Sequence, residues 1–210
     1  MKIIPAILTD NREEFLKMLE ITKEFADYVQ IDIMDGKFVP SRSITIDDLK
    51  GINFPITSEA HLMVEDPCKW IEPFKEFGAQ RIIYHYEIAQ DHQKVISRIR
   101  NKGLSPGLAV NPSTSIEEFK DLVDEVEMVL FMSVNPGFYG SKFIPQVLEK
   151  ITQFKELFPN KRIGIDGGIK LDNLKLVKGL AIDYICVGSA ILKNPNPKES
   201  YQQFNILLNE

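Results

Sequence analysis

The feature that most narrows what this chain can fold into is alternation. Eight short apolar runs, at 3–8, 28–34, 57–64, 81–85, 107–111, 128–134, 162–165 and 184–187, are each followed by an amphipathic stretch. Short runs rich in Ile, Val and Tyr read as strands, and stretches with apolar residues every three or four positions read as helices. The helix pattern covers 12–25, 67–77, 91–101, 116–123, 145–158, 170–178 and 197–208, with a short crossover at 44–50. Start signals support several of these: Asp10 or Asn11 before the first, Asp66-Pro67 before the third and Ser115-Ile-Glu-Glu at the fifth. Strand–helix alternation implies a parallel sheet with helices packed on it. Eight repeats in 210 residues imply an α/β fold, the parallel (β/α)8 or TIM barrel, as a single domain over 1–210. A doubly wound open sheet is the alternative. It would show fewer strands and a glycine-rich turn after the first, where this chain has Thr-Asp-Asn-Arg-Glu-Glu.

Composition removes several classes of function. The 44% hydrophobic content suffices for a core, and a net charge of −5 with no basic block argues against nucleic acid as a partner. No apolar run is long enough to span a membrane, and the N-terminal one is too short for a signal peptide. Cys68 and Cys186 match neither a metal nor a redox spacing, so a reducing, cytoplasmic setting is expected.

In a barrel of this kind the chemistry gathers at the C-terminal ends of the strands. Side chains alternate along a strand. In Val-Gln-Ile-Asp-Ile-Met, Val29, Ile31 and Ile33 share one face, and Gln30, Asp32 and Met34 share the other. The third strand carries Glu59, His61 and Met63 on one face, the sixth carries Met132 and the seventh ends at Asp166. Two carboxylates from different strands, Asp32 and Asp166, suit a two-base proton transfer in which one removes a proton from carbon and the other delivers one. The plainer reading of Asp166 is that it only shapes the Asp-Gly-Gly turn. His61 is a candidate metal ligand or a satisfied polar residue. Met34, Met63 and Met132 are core residues on the simplest reading; together at the mouth they would also keep a site dry.

Glycine loops supply the other half of a site. Gly137 and Gly140 in Val-Asn-Pro-Gly-Phe-Tyr-Gly let backbone N–H groups face an anion. Gly167 and Gly168 follow Asp166, and Gly188-Ser189 opens a short helical stretch after the last strand. Phosphate sites recur at this corner of the fold.

The segments Ile-Asp-Ile-Met-Asp-Gly-Lys-Phe-Val-Pro, His-Leu-Met-Val, Met-Ser-Val-Asn-Pro-Gly-Phe, Asp-Gly-Gly-Ile and Val-Gly-Ser-Ala-Ile resemble, in order and spacing, those of the ribulose-phosphate 3-epimerase family. The resemblance spans essentially the whole chain. It implies an isomerase of the pentose phosphate pathway that interconverts D-ribulose 5-phosphate and D-xylulose 5-phosphate through an enediolate. It further implies Asp32 and Asp166 as the acid/base pair, and Asp32, His61, Asp166 and the residue at position 30 as ligands of a divalent metal such as Zn, Mn, Fe or Co. His61, Met34, Met63, Met132, Gly137, Phe138, Tyr139, Gly140, Gly167, Gly168, Gly188 and Ser189 would line the phosphosugar site.

Three positions depart from the family pattern. Ala6 stands where serine is usual, Gln30 where a ligand histidine is usual, and Tyr139 replaces a common glycine. The first two put the metal and the exact sugar in question. Competing readings are an epimerase of a related ketose phosphate such as allulose 6-phosphate, or a phosphosugar-binding protein without turnover. The expected partner is a small phosphorylated sugar, with a homo-oligomer left open.

Overall fold

The computed structural model describes residues 1–52, 56–137 and 140–209. Eight strands, β1 (Lys2–Ile7), β2 (Tyr28–Met34), β3 (Thr57–Met63), β4 (Ala79–His85), β5 (Ser105–Val110), β6 (Met128–Met132), β7 (Arg162–Asp166) and β8 (Tyr184–Val187), pair in parallel in chain order. β8 pairs back onto β1 and closes the barrel. This is the (β/α)8 architecture expected from the alternation.

The helices are α1 (Arg12–Thr22), α2 (Ile46–Leu49), α3 (Ile71–Phe77), α4 (His92–Asn101), α5 (Ile116–Phe119), α6 (Gln146–Leu157), α7 (Leu171–Val177), α8 (Ser189–Leu192) and α9 (Pro197–Asn209). Their local causes are visible. The Asn11 side chain accepts from the Glu14 N–H at 2.9 Å and caps α1, and Asp91 caps α4 in the same way. Gly78, at φ 97°, ends α3 in the left-handed region. The expected helix 116–123 is instead the single turn of α5 followed by a 3-10 segment, Lys120–Glu125. Ile116, Phe119 and Val123 are buried all the same. Over two turns a hydrophobic stripe does not distinguish three residues per turn from 3.6. The expected helix 67–77 opens with a 3-10 turn, Pro67–Lys69, and becomes α-helical only at Ile71.

The largest apolar cluster lies between sheet and helices, with Phe15, Phe74, Phe119, Phe154 and Phe204 fully enclosed. Inside the barrel the packing is layered. Gly164 leaves room for Tyr184: a Cβ there would sit 2.6 Å from the Tyr184 ring. Below that layer, at the N-terminal end, Arg81 bonds Glu59 at 2.7 Å and Glu127 at 2.6 Å. Glu59, although on the same face of β3 as His61, therefore belongs to the floor of the barrel and not to its mouth. Among the described residues no helix is long and apolar enough to cross a membrane.

Candidate active site

Strand register builds the site. Asp32 is paired with His61 across β2 and β3, Met34 with Met63, and Met132 with Asp166 across β6 and β7. Cys186 lies beside Asp166. Closure of the barrel brings these strand ends together at one mouth. His61 Nδ1 stands 3.0 Å from Asp32 Oδ1 and 3.3 Å from Asp166 Oδ2. Ligand atoms of Asp32, His61 and Asp166 all lie within 4.8 Å of one another, and all three residues are buried. Such a group of one nitrogen and two carboxylate donors is fit to hold a divalent metal ion.

Gln30 lies one layer deeper and is fully buried. Its amide nitrogen donates to Asp32 Oδ1 and Asp166 Oδ2, both at 2.8 Å. Its carbonyl oxygen accepts from the Cys186 thiol at 3.0 Å. Gln30 thus turns its donor, and not its oxygen, towards the carboxylates.

Electrostatics follow from this crowding. Burial and then the charge of Asp166 raise the Asp32 carboxyl above its ordinary range, against the hydrogen bonds of His61 and Gln30. Burial alone would lower His61, but its hydrogen bonds to Asp166 and Asp32 and their charges prevail and push it up to about 10. Beside His61, on β4, His85 Nε2 lies 2.9 Å from His61 Nε2, and burial holds His85 below the usual histidine value.

Above the carboxylates opens a cleft. Met34, Met63 and Met132 wall it on the apolar side. Gly137, Gly140, Gly167, Gly168, Gly188 and Ser189 rim the other side. Two of these glycines are required by contact as well as by conformation. Gly137 has φ 112° and a Cβ there would stand 2.9 Å from Val39; Gly168 has φ 65° and a Cβ there would stand 2.7 Å from the Phe143 backbone nitrogen. The Ser133 hydroxyl donates to the carbonyl oxygens of Asp166 at 3.0 Å and Gly167 at 2.6 Å, which fixes the turn that carries Asp166. Phe138 and Tyr139, also expected at the rim, lie outside the described residues.

Sequence reasoning overlooked Ser133, Ser141 and Lys170. Lys170 is an exposed cation on the cleft rim immediately after Asp-Gly-Gly-Ile, and that adjacency was the available signal. Ala6 and Cys186 also reach the cleft.

A model of the ribulose-phosphate 3 epimerase family matches residues 2–192. The chain belongs to that family. It is 34% identical to ribulose-phosphate 3-epimerase of Helicobacter pylori (strain 26695) over 94% of both chains. It is 32% identical to the cytoplasmic isoform of ribulose-phosphate 3-epimerase from rice, over 94% of this chain and 90% of the rice protein. The family places the chain among the carbohydrate isomerases. Among solved structures it is similar in fold to KGPDC from Streptococcus mutans in complex with D-R5P (TM-score 0.77, 13% identity, covering 99% of this chain and 97% of that one). It is likewise similar to 3-hexulose-6-phosphate synthase from Salmonella typhimurium (TM-score 0.74, 18% identity, covering 100% and 99%). At such identities these structures speak for the fold alone.

Proposed function

We propose that the chain inverts C3 of D-ribulose 5-phosphate to give D-xylulose 5-phosphate, with Asp32 and Asp166 as the two bases. The observation that carries this reading is the pair itself: two buried carboxylates bridged by His61 at the floor of a glycine-rimmed cleft. The C3 proton is acidic because the neighbouring C2 ketone takes up the negative charge as an enediolate. One aspartate, ionised, removes that proton; the other, protonated, returns one to the opposite face of C3. Proton count is conserved, and only the configuration changes. Burial and the charge of Asp166 raise the Asp32 carboxyl, which is the direction that suits a proton-donating partner in the exchange.

The apolar wall of Met34, Met63 and Met132 keeps water from the enediolate and strengthens every charge interaction at the floor. The turns at Gly137, Gly140, Gly167, Gly168, Gly188 and Ser189, with Lys170 at the rim, hold the phosphate end. A divalent cation held by Asp32, His61 and Asp166, such as manganese, cobalt, zinc or iron, supplies Lewis-acid stabilisation of the charge that develops at the ketone.

The test is an NMR assay of ribulose 5-phosphate in D₂O, with allulose 6-phosphate run beside it to rank the sugars. Xylulose 5-phosphate should appear with deuterium at C3. Asp166→Asn should lose about 10²- to 10⁴-fold in turnover while remaining folded. Full turnover in that variant, or product without deuterium, refutes the two-base reading.

A further inference from the structure

Behind His61 runs a chain of contacts that the epimerase reading does not use. His61 Nε2 faces His85 Nε2 at 2.9 Å, and His85 Nδ1 faces Glu87 Oε2 at 3.2 Å. The other oxygen of Glu87 accepts from the Asn111 backbone N–H at 2.8 Å and from the Thr114 hydroxyl. The loop that bears those two donors is itself braced. Lys150 Nζ, on α6, donates to the carbonyl oxygens of Asn111, Pro112 and Thr114 at 2.8, 3.0 and 2.9 Å. Both histidine rings are fully buried, and Phe38 packs on His85 with centroids 4.9 Å apart. Neither ring has room to turn over without losing these contacts.

Two facing imidazole nitrogens can share only one proton between them, so something must decide which ring carries it. Glu87 decides. An ionised carboxylate can only accept. His85 must then carry its proton on Nδ1, which leaves its Nε2 as an acceptor. His61 in turn must carry a proton on Nε2 to meet it. The consequence falls on the far side of the His61 ring: once a cation displaces the proton that Nδ1 shares with Asp32 and Asp166, the Nδ1 lone pair is aimed between those two carboxylates.

We infer that Glu87, acting through His85, is the positioning residue that fixes the proton of His61 on Nε2 and so keeps Nδ1 available as a donor to a divalent cation held with Asp32 and Asp166. This deepens the proposed function and rests on its assignment of those three residues to the cation. Groups that orient a ligating histidine through its second nitrogen commonly change metal affinity 10- to 100-fold when removed.

The experiment reads protons directly and does not depend on turnover. The chain has only three histidines, so long-range ¹H–¹⁵N spectra of labelled protein resolve each ring. In the zinc-loaded wild type, His61 should be protonated at Nε2 alone and His85 at Nδ1; in chelator-treated protein His61 should keep the Nε2 proton and gain a second one on Nδ1. In Glu87→Gln the Asn111 N–H still requires an oxygen, so the new amide presents N–H₂ to His85. The relay then reverses. His85 becomes protonated at Nε2, and His61 loses the proton there and carries it on Nδ1. Manganese affinity, read from free-ion EPR, should fall about 10- to 100-fold.

A wild-type His61 bare at Nε2 overturns the inference, and that measurement stands even if Glu87→Gln does not fold. A folded Glu87→Gln protein with unchanged His61 shifts, or with reversed protons and unchanged manganese affinity, also overturns it. A purely structural role for Glu87 would lower stability and leave the His61 shifts where they were. Wild-type protein with the expected protons but no exchange at C3 would refute the epimerase reading and leave the proton arrangement intact.

Discussion

The amide nitrogen of Gln30 stands 2.8 Å from Asp32 and 2.8 Å from Asp166, so one neutral donor ties together the two carboxylates of the site. Hydrogen bonds to ionised acceptors are the strong ones, and this amide spans both carboxylates. Its oxygen is taken by the Cys186 thiol, a weak donor. For Gln30 to offer oxygen to a cation, the amide has to turn round. It would then give up both bonds to the carboxylates and direct its N–H₂ at sulfur.

Gln30→His should therefore tighten zinc binding. An imidazole is a better ligand for zinc than an amide oxygen, and it ends the competition of the amide for the carboxylates. A gain of tenfold or more is expected, roughly 1.4 kcal/mol. Competition against a zinc-chelating dye measures it. Equal affinity in the two proteins would show that position 30 has no part in holding the ion.

Lys170→Ala addresses the other end of the substrate. Lys170 is exposed on the rim, so its attraction for phosphate is screened and is worth roughly 1 kcal/mol at most. The variant should raise KM about fivefold with kcat unchanged, because the contact is made equally in ground and transition states. Steady-state kinetics on ribulose 5-phosphate decides it, and a fall in kcat at constant KM would contradict the placement.

How far the sequence carried these conclusions depends on the range of the interactions. Asp32, His61 and Asp166 were legible because strand alternation puts them on the inner face and the fold puts strand ends at one mouth. The bond from Gln30 to Asp166 spans 136 positions and that from Cys186 to Gln30 spans 156. No local pattern reports such contacts; they exist only once β8 closes on β1. Glu87 was equally hidden. In Tyr-His-Tyr-Glu it reads as the ragged end of a strand, and its role appears only when the loop after β5 supplies Asn111 and Thr114. Glu59 shares a strand face with His61, yet two residues along that strand separate the barrel mouth from the ion pair with Arg81 at its floor.

At that floor, Arg81→Met should be costly. It leaves Glu59, which is fully buried, without its cation, and burial already works to raise the Glu59 carboxyl against the opposing charge of Arg81. Removing one partner of a buried pair costs about 3–5 kcal/mol. Urea unfolding should show that loss in the single variant. The double variant Arg81→Met with Glu59→Gln should recover much of it, because the stranded charge is gone while Tyr28 keeps an acceptor in place of its 3.1 Å bond to Glu59. A double variant no better than the single one would mean that shape, and not charge, sets the cost.

The last expectation concerns acid stability and His92. This residue opens α4, stacks on Tyr86 with centroids 5.1 Å apart and planes at 7°, and has a buried Nδ1 with no hydrogen-bond partner among the described residues. Burial lowers its tendency to take a proton below the ordinary value of 6.5, against the opposing charges of Asp91 and Glu87. The start of a helix, which carries partial positive charge, disfavours the imidazolium further. A group whose folded-state pKa is depressed gives stability that is present above its unfolded value and is lost as pH falls through the folded one. Wild-type protein should therefore lose stability from this source as pH falls below 6.5. His92→Phe keeps the ring on Tyr86 and removes the titration. The difference in Tm between the variant and the wild type should be constant at neutral and higher pH and should move steadily in favour of the variant as the solution is acidified. Thermal unfolding followed by circular dichroism across that range measures it. A difference that stays constant into acid would show that His92 is free to protonate in the folded protein, contrary to its burial.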